Sequence, residues 1–291
     1  MALRECAKTA VITGSASGIG RALSLALAER GWKVGIVDVD IEGAEETLQM
    51  VIRAGGEGDV FRCNVRKLQE VVAAADHFYQ AWGQVGMLIN NAGIGGGGYV
   101  GDIAIEQWET VVETDFWGVV YGCHVFIPRM KAQGAGHIVN VSSIAGLLPV
   151  MGFAPYNTSK AAVVSLSETL RVELAPFNIG VTVVCPSVVR TGILDNTMKV
   201  MDLGDSEEER WGLEMLQAAF RATPMTMDDF SRVVMRGIEK NRLYVLPRFS
   251  ARLVWFGVRL APSLNYRMWA FLNRHGLAMK AITSAARRGW V

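Results

Sequence analysis

Several features that mark other classes of protein are missing from this sequence. Its four cysteines, Cys6, Cys63, Cys123 and Cys185, form no CxxC pair and no metal-ligand cluster, so the spacing argues against a disulfide framework and predicts no metal site. No apolar run approaches the roughly 18 residues that cross a bilayer. The first residues also lack the apolar stretch of a signal peptide. We therefore expect a cytoplasmic protein with reduced thiols.

Acidic residues are missing from the last part of the chain. Residues 240–291 contain ten Lys or Arg and no Asp or Glu, although the formal net charge of the whole chain is only +1. Residues 1–239 therefore hold 19 basic and 28 acidic side chains. This separation predicts a basic tail that contacts either an anionic membrane surface or an acidic protein surface.

The remaining composition is that of a globular chain with a large core, with 51% hydrophobic residues, 20% charged residues and 31 glycines. Short apolar runs rich in β-formers alternate with longer helical stretches up to about residue 186. The predicted strands are 9–13, 33–38, 59–63, 87–90, 136–142, 180–185 and 243–246. The predicted helices are 18–30, 42–54, 66–82, 106–132 and 156–175. This alternation predicts an α/β fold in three layers, with a doubly wound, mostly parallel seven-stranded sheet of Rossmann type.

We expect one domain over residues 1–247, because no linker or repeat interrupts the pattern. Within it, residues 187–230 leave the alternation and form a substrate loop. Two helices are predicted there from capping boxes, Ser206 with Glu209 and Thr226 with Asp229.

Residues 248–291 are predicted to form a basic amphipathic helical tail in which Pro262 and Ser263 separate two helices. The amphipathic pattern fits peripheral membrane contact. It fits packing on the protein's own body or on a partner subunit equally well.

A glycine motif, TGSASGIG, follows the first predicted strand. Gly14, Gly18 and Gly20 permit a tight turn and let backbone N–H groups meet a pyrophosphate at the N-terminus of the next helix. Its place between a strand and a helix favours dinucleotide binding, with Ser17 and Ile19 of the same loop taking part, over a turn that only packs helix on strand.

The second predicted strand ends at Asp38. A carboxylate there accepts the ribose hydroxyls of NAD and repels the 2′-phosphate of NADP, and no Arg or Lys lies at 15–17 or directly after Asp38. NAD is therefore the predicted cofactor, with NADP less favoured. The alternative is that Asp38 caps a helix or is a solvated loop acid.

Tyr156 and Lys160, in YNTSK, lie four residues apart and share one face of a predicted helix. A free tyrosine has a pKa of about 10, and an adjacent ammonium favours its phenolate, so the pair supplies a proton acceptor and donor. Ser143, at the end of the fifth predicted strand, is placed to hydrogen-bond a reacting oxygen. An isolated pair of this kind is usually a surface pair, but the preceding glycine and NNAG motifs favour catalysis.

In order along the chain, these motifs resemble the short-chain dehydrogenase/reductase family over roughly residues 7–247. They are TGSASGIG, Asp38, NNAG at 90–93, the set Ser143, Tyr156 and Lys160, and CPSVVRT at 185–191. The resemblance implies an alcohol dehydrogenase or ketone reductase, with Tyr156 as acid/base, Lys160 lowering its pKa and holding the nicotinamide ribose, and Ser143 orienting the substrate. It also implies further cofactor contacts from Asn64, Val65, Asn90, Asn91, Ala92, Gly93, Pro186, Val189 and Thr191.

The sequence departs from the family pattern at three positions. Asp115 stands where the family usually has Asn, whose opened backbone carbonyl holds a water of the proton relay. A carbonyl role survives the substitution, but a carboxylate near Tyr156 opposes its ionisation, and Asp115 is kept among the candidate catalytic residues. Asn64 replaces the usual Asp, and Ser187 replaces the usual Gly.

Apolar residues are expected around the substrate. They are Leu147, Leu148, Val150, Met151, Phe153, Met198, Met201, Trp211, Met215 and Met225. The predicted substrate is a lipophilic secondary alcohol or ketone, steroid-like or long-chain. We expect a homodimer or homotetramer and no nucleic-acid partner. The alternative functions are a non-catalytic dinucleotide-binding regulator or scaffold, and an epimerase or dehydratase that uses the same Tyr and Lys.

Overall fold

Seven parallel strands form a single sheet in the order β3-β2-β1-β4-β5-β6-β7. They are observed in a computed structural model that describes residues 6–187 and 225–278, with 280 and 284. The strands are β1 Thr9–Thr13, β2 Lys33–Asp38, β3 Glu57–Arg62, β4 Met87–Asn90, β5 Gly136–Val141, β6 Ile179–Val184 and β7 Tyr244–Val245. The predicted doubly wound sheet is confirmed. The strand order reverses between β1 and β4, which is where such sheets bind ligands.

Helices cover both faces of the sheet. They are α1 Gly18–Ala28, α2 Ile41–Arg53, α3 Leu68–Trp82, α4 Ile105–Val112, α5 Gly118–Gln133, α6 Ala154–Glu173, α7 Met227–Glu239, α8 Phe249–Leu260 and α9 Pro262–Arg274. Ile12 and Phe230 belong to the core on one side of the sheet, whereas Val11, Phe78 and Phe126 belong to the core on the other. Successive residues of β1 therefore serve opposite faces, as the twofold period of a strand requires.

Two boundaries differ from the sequence prediction in a way that has a physical reason. The predicted helix 106–132 is divided by a π-helical turn at Glu113–Trp117. The tail helix α9 begins at Pro262 instead of after Ser263, because proline is favoured at the first helical position, where its missing N–H has no partner to lose. Other ends move by one or two residues.

One of the two predicted capping boxes is observed. Thr226 precedes α7 and its hydroxyl accepts the Asp229 N–H at 3.1 Å. The other, Ser206 with Glu209, lies outside the described residues. Across the described ranges, no helix is both long and apolar enough to span a membrane, and no group of three His, Cys, Asp or Glu is arranged to hold a metal ion.

Candidate active site

The glycine motif forms a cradle at the N-terminus of α1. Gly14 and Gly18 have φ angles of 67° and 55°, in the region that favours glycine. A Cβ on Gly20 would lie 2.1 Å from the Gly14 carbonyl oxygen. Ser17 precedes α1 and makes no side-chain capping bond, so the first N–H groups of the helix remain available to an anion. The adjoining Ile19 packs against the core. This cradle fits the pyrophosphate of a dinucleotide.

Asp38 lies at the carboxyl end of β2 and is held beside the glycine loop. Its Oδ2 accepts the Ala16 N–H at 2.8 Å, and its Oδ1 accepts the Asp40 N–H at 3.1 Å. The residue that caps α2 is Asp40, which accepts the Gly43 N–H, so the helix-capping alternative for Asp38 is not observed. The carboxylate is therefore close to the cradle, as a ribose ligand must be.

The NNAG side chains fasten the strands at the centre of the sheet. Asn90 donates to Asn140 Oδ1 at 2.9 Å, which joins β4 to β5. Asn91 donates to the carbonyl oxygens of Thr13 and of the following glycine at 2.9 and 2.8 Å. Thr13 Oγ1 accepts the N–H groups of Asn91 and Ala92 at 3.0 and 3.1 Å. Thr13 was not among the predicted site residues, although it is the first residue of the TGSASGIG motif.

Only some of the other predicted site residues lie within the described ranges. Asn64 closes a turn through Oδ1, which accepts the N–H two residues later at 3.1 Å. Val65 is buried, and the Pro186 carbonyl accepts the Ile144 N–H at 2.8 Å, which fixes the chain after β5. The residues that lie outside the described ranges are Val189, Thr191, Met198, Met201, Trp211 and Met215.

Ser143, Tyr156 and Lys160 come together beyond the carboxyl end of β5. Ser143 caps a short 3₁₀ turn at Ile144–Gly146 through an N–H···Oγ bond of 3.1 Å from Ala145. Tyr156 and Lys160 lie one turn apart on α6, with Lys160 Nζ 5.5 Å from the centre of the tyrosine ring. The neighbouring Ser142, which the sequence reasoning missed, donates to the Lys160 carbonyl oxygen at 2.7 Å and ties α6 to β5.

Asp115 enters this site through its side chain. It lies in the π-helical turn, is 0% exposed, and places Oδ2 3.1 Å from Nζ of Lys160, which is itself only 4% exposed. The other oxygen, Oδ1, accepts the Ile94 N–H at 2.7 Å. A Cβ on Gly93 would lie 3.0 Å from Lys160 Nζ and 3.3 Å from Asp115 Oδ1. A glycine at 93 therefore leaves the space in which the buried ion pair forms.

The protein's own groups hold the pKa of Tyr156 above its usual value. Desolvation of the phenol raises this pKa most and the Asp115 carboxylate raises it further, while Lys160 and a hydrogen bond with Ser143 lower it. Lys160 thus lowers the pKa of Tyr156 as predicted, but burial and Asp115 outweigh it. Burial lowers the pKa of Lys160, yet the Asp115 carboxylate and Tyr156 together carry it above its usual value. Burial raises the pKa of Asp115, against the effect of Lys160.

These shifts have a chemical consequence. A phenol with a raised pKa keeps its proton at neutral pH, and this is the form that donates to a carbonyl oxygen. A protonated Lys160 stays next to it as a fixed positive charge. The site therefore combines a proton donor, a hydroxyl at Ser143 and a buried cation.

Known proteins resemble the chain over most of its length. The sequence profile of the short chain dehydrogenase family matches residues 8–201. SadH of Mycobacterium tuberculosis, which is named as an oxidoreductase, is 34% identical over 265 residues, or 90% of this chain and 94% of that protein. A cyclohexanol dehydrogenase of Acinetobacter sp. is 31% identical over 188 residues, or 64% of this chain and 75% of that protein.

A solved structure shares the fold as well as the sequence. It is a short-chain dehydrogenase/reductase from Burkholderia phymatum in complex with NAD, with a TM-score of 0.83 and 33% identity over 89% of this chain and 95% of that chain. The family profile, the relatives and the shared fold all point to the same family. The chain therefore belongs to the short-chain dehydrogenase/reductase family of oxidoreductases.

Proposed function

We propose that the protein is an NAD(H)-dependent oxidoreductase that interconverts a lipophilic secondary alcohol and its ketone, with Tyr156 as the proton donor and acceptor. The observation that carries this proposal is the convergence of Tyr156, Ser143 and Lys160 at the sheet edge that also holds the glycine cradle. A hydroxyl, a phenol and a buried ammonium in this arrangement suit proton exchange with a substrate oxygen.

The residues have distinct roles in this mechanism. When bound, NAD would accept the hydride in alcohol oxidation and NADH would donate it in ketone reduction. The cradle would hold the pyrophosphate, and Asp38 would accept hydrogen bonds from the ribose hydroxyls. Ser143 orients the substrate oxygen through its hydroxyl. In ketone reduction Tyr156 donates its proton to that oxygen, and in alcohol oxidation the phenolate takes the hydroxyl proton back, stabilised by Lys160.

NAD is proposed over NADP because a carboxylate at the end of β2 repels a 2′-phosphate. Asp38 is fixed there by two backbone N–H groups, so it does not swing away at low cost. The NAD complex of the Burkholderia phymatum relative is consistent with this choice.

A lipophilic substrate is proposed from the side chains after Ser143. Leu147, Leu148, Val150, Met151 and Phe153 are all partly exposed instead of fully buried, as residues that line a binding pocket are. The Acinetobacter relative is named a cyclohexanol dehydrogenase, and cyclohexanol is a secondary alcohol on an apolar ring.

Met225 packs against the core, so it contributes less to the lining of the substrate pocket than the sequence alone suggests.

A homodimer or homotetramer is also proposed, since Trp117 and Val172, beside α5 and on α6, are 44% and 76% exposed. Measuring the molar mass in solution tests the subunit count.

Replacing Tyr156 by Phe tests the proposed activity. We expect kcat/KM to fall by about 10²–10⁴ with NAD and a panel of lipophilic secondary alcohols, because acid/base catalysis contributes about that much. NADH binding, measured by fluorescence, should be nearly unchanged. Tyr121→Phe on α5 is the matched control and should keep full activity. Activity of Tyr156→Phe within about tenfold of wild type would remove the phenol from the mechanism.

A further inference from the structure

Helix α8 has a second apolar face that points away from the body. Phe249, Leu253, Phe256 and Leu260 are between 59% and 73% exposed. Their spacing of i, i+4, i+7 and i+11 places them along one side of the helix. A row of large apolar residues of this kind exceeds the scattered exposure that is normal for a protein surface.

Helix α9 has a similar exposed apolar row and adds charge. Leu264, Met268 and Phe271 are between 47% and 70% exposed at i, i+4 and i+7. Arg267 and Arg274 each follow one of them by three residues, which places them on the same side. The described part of the chain offers no ion-pair partner to either arginine. These two exposed rows, with Arg267 and Arg274, are called the outward face of α8 and α9, and it is both apolar and cationic.

The inner side of α8 is already attached to the body, so the outward face is not its packing face. Trp255 lies against Tyr244 with ring centres 5.0 Å apart. Arg259 donates to Tyr244 Oη at 3.2 Å and lies 3.7 Å from Glu168. Packing on an acidic body, one alternative for the tail, thus accounts for Arg259 but leaves the outward apolar row uncovered.

We propose that the outward face of α8 and α9 binds the surface of a membrane that contains anionic lipids. Apolar side chains enter the headgroup boundary while arginines pair with lipid phosphates, which is the arrangement of an interfacial helix. A second copy of the chain fits less well, because a twofold contact through one face brings the same arginines together. Residues 240–291 provide no Asp or Glu to offset that repulsion.

Vesicle co-sedimentation of the full chain tests this proposal without using turnover, so its outcome is independent of the proposed activity. The vesicles are phosphatidylcholine alone and phosphatidylcholine with about one third phosphatidylglycerol, at low salt and at about 1 M salt, where the screening length is about 3 Å. We expect wild-type protein to sediment with the anionic vesicles at low salt. It should stay in the supernatant with vesicles of phosphatidylcholine alone, and with the anionic vesicles at high salt.

Two variants test the apolar and the charged parts of the face. Leu253→Gln should lower the partition coefficient roughly tenfold. Arg267→Gln with Arg274→Gln should lower the partition coefficient on the order of thirtyfold. Each surface cation strengthens binding roughly fivefold, and the two effects multiply. The matched controls are Ile52→Gln on α2, and Arg53→Gln with Arg236→Gln on α2 and α7. They remove one exposed aliphatic side chain and two exposed cations elsewhere, and both should bind like wild type.

Three results would overturn the proposal. The first is wild-type protein that stays in the supernatant with anionic vesicles at low salt. The second is binding that both face variants leave unchanged. The third is a change in oligomer mass for Leu253→Gln without vesicles, measured by sedimentation velocity, because that assigns the face to a second copy of the chain.

Discussion

Replacing Asp115 by Asn removes one charge of the buried ion pair with almost no change in side-chain size. At 3.1 Å and an effective dielectric constant of about 20, the two charges attract each other by about 5 kcal/mol before desolvation is counted. Removing one partner of a buried pair costs about 3–5 kcal/mol. We expect a loss near the lower end, about 3 kcal/mol in the free energy of unfolding, because the amide oxygen still accepts the Ile94 N–H.

The same substitution should change the pH dependence of turnover. The Asp115 carboxylate raises the pKa of Tyr156, and it also offsets the charge of Lys160, so its removal should lower the pKa of the phenol. Alcohol oxidation requires the phenolate. The acid limb of kcat/KM should therefore move to lower pH, with activity at neutral pH preserved or raised.

Urea unfolding and a pH–rate profile measure the two effects, with the exposed Asp102→Asn as the control. An unshifted acid limb in a folded Asp115→Asn variant would refute the electrostatic reasoning. A large loss of activity in a folded variant would instead show that the carboxylate itself is needed for turnover.

Three further predictions concern other parts of the site and core. Asp38→Ala should weaken NAD more than NADP in a fluorescence titration, whereas Asp40→Ala should affect both alike; equal losses for Asp38→Ala would show that the ribose acid is misplaced. Gly93→Ala should lower kcat by displacing the ammonium of Lys160, and a wild-type kcat would contradict this. Burial, with a smaller effect of a nearby arginine, lowers the pKa of His137 to about 3 from 6.5. The unfolded state therefore binds the extra proton, and stability is lost as pH falls from about 6.5 towards 3, at up to about 1.4 kcal/mol per pH unit. His137→Gln should remove that slope from urea unfolding curves, and equal slopes would exclude it.

The sequence predicted the sheet and the positions of the motifs because both depend on local patterns. Buried parallel strands need apolar runs, and the glycine cradle needs residues that adopt positive φ. The contact between Asp115 and Lys160 was not predictable in this way. It joins residues far apart in sequence, and it depends on a π-helical turn that no periodicity indicates. The sequence therefore predicted a carboxylate near Tyr156 but not the buried ion pair that Asp115 forms with Lys160.

The inner side of α8 has a consequence for the residues beside Ser143. Ala251 and Trp255 pack into the same small apolar cluster as Ile144 and Leu147. The support behind the serine is thus contributed by the C-terminal region of the chain. We expect that lifting α8 from the body would remove that support and admit water next to the serine, so that the position of the tail would affect turnover although α8 contributes no reacting group.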